Sequence, residues 1–284
     1  MDLLTWGTDP WGQEILVRIS WNLLYASFAA GVLFVIAHAI WVKVWVPKRA
    51  AALASHDTAG AEEAAPAANV PARVARHSLA ARLFHWVMAA AVLALLFTGF
   101  LPIVGIQFSW ITIHWVAGVV LTLSVAYHII HAIFFLDFWS IWIYPSELGD
   151  AGRRLKRTLG GVAPPPRKHP KYPLENKLYH YAIMLTGFAV IGTGLVMMVR
   201  VETPLWALNP YLFLDRTWGL IYVTHDLASV GLVALVISHI YFAIRPEKLW
   251  ITRSMIFGWI DRDHYVEHHD PQRWAVPPQQ TRKG

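Results

Sequence analysis

The sequence predicts an all-α integral membrane protein: a four-helix transmembrane bundle preceded by one extra N-terminal transmembrane helix. Three observations lead there. The 284 residues are 56% hydrophobic with a mean hydropathy of +0.42, far too apolar for an ordinary soluble domain. Five apolar runs are each long enough to cross a bilayer. The basic residues alternate between connections: of the 24 lysines and arginines, segments 43–82, 137–177 and 245–284 carry 6, 8 and 7, whereas 1–18, 102–110 and 200–217 carry 1, 0 and 2. That asymmetry places the N-terminus outside and the C-terminus inside, with five spans. It also accounts for the net charge of +6. With no separate basic domain, nucleic acid is excluded as a partner.

Residues 1–17 are slightly acidic, with Trp6 and Trp11 placed as interfacial anchors. The first span covers 19–45, and residues 1–47 form an N-terminal transmembrane segment. Its positive charges follow the apolar run, which is the wrong order for a signal peptide. After Pro47-Lys48-Arg49 the chain turns Ala/Pro/Glu-rich, so 48–75 reads as a flexible linker. The second span, 79–101, opens on Arg82-Leu83-Phe84-His85-Trp86. A turn through Pro102 and Gly105 leads to the third span, 110–136. Residues 137–144 read as an interfacial segment, followed by a basic loop containing Arg153-Arg154-Leu155-Lys156-Arg157 and Pro164-Pro165-Pro166. The fourth span opens near Asn176-Lys177-Leu178-Tyr179-His180 and ends near Val199. The fifth, 218–244, is stopped by Arg245-Pro246. Residues 76–246 thus form the four-helix domain. The remainder, 247–284, is an inner-face tail: an interfacial amphipathic helix over 249–260, then a loosely ordered stretch with His264, His268 and His269.

Chemistry enters through the histidines. His225 and His239 lie fourteen residues apart on the fifth span; at 100° and 1.5 Å per residue they share a face, offset by about 40°, at depths roughly 21 Å apart. His114 and His128 repeat the spacing on the third span, which runs in the same direction. Each polar ring in hydrocarbon carries a cost that a partner must offset, and haem iron bound through imidazole does so. Two stacked haems follow, with His114 and His225 the natural outer pair. Spacing leaves the inner pair open, since His239 can meet His128, by symmetry, or His85. The plainer alternative is a set of structural histidines hydrogen-bonded between helices. His131 and His180 read as polar packing or quinone-site residues, and His38 lies on the first span. Gly118, Gly187, Gly192 and Gly194 let helices approach closely or make room for a flat macrocycle. Cysteine is absent, which excludes disulfides, thioether-linked haem and thiolate-bound iron–sulfur clusters within this chain.

Several motifs occur together: Arg82-x-x-His85-Trp86, Thr98-Gly99, His114, Asn176-x-x-x-His180, Thr193-Gly194, and His225 with His239. In this combination residues 76–244 resemble the cytochrome b subunits that anchor periplasmic formate dehydrogenases and nickel–iron hydrogenases, within the bacterial di-haem b561 group. The first span and its linker depart from that four-span core. The resemblance implies two haem b groups in the bacterial inner membrane, the N-terminus being periplasmic and the C-terminus cytoplasmic. The inner haem would take His85 and His239, with His128 the alternative, and the outer haem His114 and His225. Quinone would be the substrate, with Asn176, Lys177 and His180 as candidate contacts. Arg76, Arg82 and Arg245 would be candidate partners for inner haem propionates, and Arg200 or Arg216 for outer ones, although topology explains these charges equally well. Such a wire carries no catalytic residue of its own. It needs an iron–sulfur or other electron-transfer subunit and a catalytic subunit as partners. Two alternatives are a stand-alone b561-type quinol:oxygen or superoxide oxidoreductase, and a haem-free scaffold or transporter. Against the last, Asp226 is almost the only carboxylate inside the four spans.

Overall fold

The computed structural model describes residues 2–54, 70–164 and 167–276. Its backbone follows the five apolar runs. Helices α1 (Asn22–Ala54), α2 (Leu79–Phe100), α3 (Trp110–Phe135), α5 (Leu174–Met197) and α6 (Asp215–Ile244) each contain a span of mean hydropathy 1.9 to 2.2. Four of them form the core expected from the sequence, and α1 is the additional N-terminal one. α2 gives way at Pro102, and α6 at Arg245-Pro246, because proline cannot continue the hydrogen-bond ladder. The chain divides into two compact units.

One unit comprises Met1–Phe34, Leu83–His131 and Tyr181–Ile240. Its first residues are more than interfacial anchors, since β1 (Leu4–Thr8) and β2 (Glu14–Ile19) pair as an antiparallel hairpin. The turn is made by the Asp9 carboxylate, which accepts the backbone N–H groups of Trp11 (2.9 Å) and Gln13 (2.8 Å), and by Gly12 at φ 81°. The hairpin lies directly on α6: a Cβ at Gly219 would collide with the Leu16 carbonyl. Ile19, 1% exposed, joins Leu24 and Val230 in a small apolar core. Alongside, the Ser27 hydroxyl donates to the Val230 carbonyl at 2.7 Å, and a Cβ at Gly31 would stand 3.1 Å from the Ile237 side chain. Small residues therefore bring α1 against α6.

The other unit comprises Val35–Arg82, Ala132–His180 and Tyr241–Gly284. Here three expectations are corrected. Where a basic loop was expected, Pro145–Thr158 forms helix α4. It begins with proline at its first position and with the Glu147 carboxylate accepting the Tyr144 N–H at 3.1 Å, and it ends on Lys156 and Arg157, which suit the negative end of the helix dipole. The span 48–75 is not all linker: α1 runs through Ala54, and β3 (Arg73–Ala75) pairs antiparallel with β4 (Trp259–Asp261). Residues 55–69, the body of the expected linker, lie outside the described residues. Nor is the tail loose as far as Val276. After α7 (Leu249–Phe257) and β4, helix α8 (Arg262–His268) closes over a core of Val74, Ile260 and Tyr265, each 2% exposed or less. Gly258 makes this possible. It caps α7 at φ 91°, its carbonyl accepts the N–H groups of Arg76 (2.8 Å) and His77 (3.0 Å), and a Cβ there would lie 2.9 Å from the His77 carbonyl.

Candidate functional site

The histidines singled out in the sequence meet in two pairs on facing helices of the first unit. His114 of α3 and His225 of α6 have ring centres 6.4 Å apart, inclined at 62°. His85 of α2 and His239 of α6 have ring centres 6.3 Å apart, inclined at 49°. His85, His114 and His225 are half-buried, and His239 is more open. His128 is placed elsewhere: its ring lies 4.4 Å from that of Phe84, while His131 stacks on Tyr127 at 5.5 Å. His38 of α1 sits in the second unit, its Nδ1 3.0 Å from the Tyr241 hydroxyl.

Both members of the first pair are oriented by a threonine. The Thr98 hydroxyl donates to the Ala94 carbonyl at 2.6 Å, so its oxygen is left as acceptor for His114 Nδ1, 2.8 Å away. In the same way the Thr193 hydroxyl donates to the Ala189 carbonyl at 2.5 Å and stands 2.9 Å from His225 Nδ1. The network therefore puts the proton on Nδ1 of each ring and leaves Nε2 with its lone pair. That is how a metal-bound imidazole is held. The following glycine clears space for the ring. A Cβ at Gly99 would lie 3.5 Å from His114 Cε1, and one at Gly194 would lie 3.4 Å from His225 Cε1. The Thr-Gly pairs were visible as motifs, but this role was not. Their recurrence at the end of two spans, each followed by a histidine on the next, was the available signal.

The arrangement fits haem. Two imidazoles that would share one metal ion, each at a bond of roughly 2 Å with roughly 1 Å more to the ring centre, would have ring centres up to about 6 Å apart. Both pairs meet that figure. His85 Nδ1, unlike Nδ1 of His114 and of His225, is buried with no hydrogen-bond partner among the described residues. Of the glycines, a Cβ at Gly118 would make ordinary contact with Leu95 at 4.0 Å, but at Gly187 and Gly192 it would meet nothing within 4 Å. Close helix packing does not explain those two.

The charged candidates are mostly committed to protein partners. Lys177 is 1% exposed, and its ammonium donates to the Trp142 carbonyl at 2.7 Å and to both Glu147 oxygens at 2.9 Å. All three of its hydrogens are spent, so the expectation of a quinone contact is corrected for Lys177. Its neighbours on α5 differ: Asn176 is exposed and His180 half-buried. Arg273 joins the same cluster, 3.6 Å from Glu147 and 3.2 Å from Asp150. Burial opposes the charge on Asp150, but the Arg153 hydrogen bond and the charge of Arg167 hold its carboxyl below the ordinary range. Arg76 is 3% exposed. It contacts His269 Nε2 at 3.3 Å and donates to the Lys171 carbonyl at 3.1 Å, and its guanidinium lies 5.6 to 5.9 Å from the rings of Tyr172, Trp250 and Trp274. Arg82 binds the Ile256 carbonyl, Arg245 pairs with Glu247 at 3.3 Å, and Arg200 lies over Trp218 at 5.0 Å. Nε of Arg76 and of Arg82 is buried with no hydrogen-bond partner among the described residues, so these contacts leave guanidinium donors unused.

Residues 76–258 match the family described as prokaryotic cytochrome b561. No curated protein matches the chain. The match spans well over half of the sequence and takes in all of α2, α3, α5 and α6, the helices that carry both histidine pairs. With five spanning helices and imidazoles suited to haem b, the chain belongs to the prokaryotic cytochrome b561 family of multi-pass membrane electron-transfer proteins.

Proposed function

We propose that this chain is the membrane-anchoring di-haem cytochrome b subunit of a multisubunit oxidoreductase of the formate dehydrogenase or hydrogenase type. It passes electrons between an outer-face redox partner and the quinone pool. The observation that carries the reading is the pair of facing imidazole pairs, His114 with His225 and His85 with His239, at ring separations of 6.4 and 6.3 Å. The two sites are roughly 21 Å apart along α6, since His225 and His239 are separated by fourteen residues. When bound, haem supplies one-electron chemistry at each site.

The chain's own residues hold and tune the sites. Imidazole Nε2 atoms are the ligands. Thr98 and Thr193 fix the tautomer of the outer pair, and Gly187 and Gly192 leave the bundle open for a flat group. Charge asymmetry supports a periplasmic N-terminus and a cytoplasmic C-terminus. The outer pair therefore faces the partner's side, and Asn176 and His180, at the start of α5, are the quinone contacts on the inner side. The absence of cysteine supports a partner with an iron–sulfur or comparable centre and a further catalytic subunit.

A reduced-minus-oxidised spectrum with a haem count tests the core of this reading. His225→Ala should remove one haem and His239→Ala the other. Two haems retained in both variants would overturn it. Co-purification tests the partner: an isolated homodimer fully active as a quinol:oxygen or superoxide oxidoreductase would establish the stand-alone reading instead.

A further inference from the structure

Outside the histidine pairs, the second unit carries a cluster that electron transfer through the bundle does not use. Helix α8 presents His264-Tyr265-Val266-Glu267-His268. Positions i, i+3 and i+4 fall on one helix face, and one ligand atom from each of His264, Glu267 and His268 lies within 4.8 Å of the other two. Both imidazoles are packed before any ion arrives. Trp250 of α7 lies nearly parallel to both imidazoles, 5.0 Å and 15° from His264 and 5.1 Å and 3° from His268, and the two imidazoles are themselves within 13° of parallel. Tyr265, 1% exposed, anchors the helix to the core between them. His264 also has a buried Nδ1 with no hydrogen-bond partner among the described residues, a cost that a binding partner would relieve. The way in is from solvent, for the side chains of Glu267 and His268 are 70% and 38% exposed.

We propose that His264, Glu267 and His268 form a binding site for one divalent metal ion of the class that takes imidazole and carboxylate ligands, with Zn²⁺ the best match. Two neutral imidazoles and one carboxylate are a common zinc donor set, and three protein ligands leave a position for water. The balance of charge sets the strength. Glu267 is the single anionic ligand, and the charges of Lys168 and Lys248 reach His268 and oppose the ion. Occupancy therefore follows the free metal concentration instead of being permanent. A bound ion would clamp α8 across its last turn, where the His268 carbonyl accepts the His169 N–H at 3.0 Å.

The test uses the full-length, haem-loaded chain in detergent, prepared without a polyhistidine tag, stripped with chelator and dialysed against Zn²⁺. Metal is counted by mass spectrometry, and Cu²⁺ replaces Zn²⁺ for electron paramagnetic resonance. One Zn²⁺ per chain is expected, together with a Cu²⁺ spectrum showing two equatorial nitrogens. H264A/H268A should lose that equivalent with haem content unchanged. E267Q, on an exposed side chain whose replacement does not threaten the fold, should weaken binding by at least about tenfold. No uptake by the unaltered chain, fewer than two nitrogens on copper, or E267Q binding with undiminished affinity would overturn the assignment.

Discussion

Replacing Thr193 with valine keeps the shape of the side chain and deletes one hydroxyl, so it isolates the contact that orients His225. In the native protein that hydroxyl oxygen stands 2.9 Å from Nδ1 while its own hydrogen goes to the Ala189 carbonyl. Valine leaves the Val190 carbonyl as the remaining acceptor for the His225 ring, so the loss falls toward the lower end of the about 1–3 kcal/mol that an unsatisfied buried donor costs. The loss of an outer partner to a metal-bound histidine independently amounts to about 10- to 100-fold in affinity, and at about 1.4 kcal/mol per factor of ten the two figures agree. An imidazole without this acceptor donates less electron density, so oxidised iron is stabilised less. If about 1 kcal/mol of the loss falls on the oxidised state alone, the midpoint potential of one haem rises by roughly 40 mV. Redox titration of the purified protein resolves the two haems, and dissociation into apomyoglobin reports haem affinity. Thr193→Ser, which keeps the hydroxyl, should restore both. Thr186→Val is the control on the same helix, because the Thr186 hydroxyl donates to the Ala182 carbonyl at 2.8 Å and has no histidine partner among the described residues. Unchanged potentials and unchanged haem release in Thr193→Val, or an equal effect from Thr186→Val, would refute the tautomer argument.

Other perturbations follow from the same contacts. His85→Ala should remove one haem and His128→Ala should leave both, read by pyridine haemochrome assay; the reverse outcome would assign the inner ligand to His128. Lys177→Met breaks a fully buried ion pair and leaves Glu147 with the Tyr144 N–H and the more distant Arg273, so a loss of about 3 kcal/mol in stability is expected, measured by thermal unfolding in detergent. Burial, and after it the charge of Arg76, pulls His269 down to about 4 from an ordinary 6.5. Unfolded protein therefore takes up more protons between those values. Stability of this unit is full above about pH 6.5 and falls as pH drops toward 4, by up to about 3 kcal/mol from this residue. Hydrogen exchange over residues 259–276 should show the trend, and His269→Gln should flatten it.

The five spans were legible because a long apolar run has few alternatives to a membrane helix, and breakers such as Pro102 and Pro246 mark its ends. That His114 would face His225 was legible because the spacing of His225 and His239 recurs in His114 and His128. For the partner of His239 the same recurrence pointed equally to His128, and only tertiary packing separates it from His85: the His128 ring lies against Phe84, while the His85 ring faces His239. The tail was misread for a different reason. Strands of three residues have no periodicity to detect, and β3 pairs with β4 across roughly two thirds of the chain's length. Lys177 and Arg76 looked like free charges for the same cause, since Glu147 and His269, which engage them, are distant in sequence.

The seat of the N-terminal hairpin on α6 carries its own consequence. With the Leu16 carbonyl occupying the place where any side chain at position 219 would begin, strand and helix can meet in only one register. The same strand ends at Ile19, whose backbone hydrogen-bonds the Asp226 carboxylate, the residue next to His225. The first strand of the chain is thereby tied to the helix turn that carries His225, so the seat of the hairpin and the placement of that imidazole are set together.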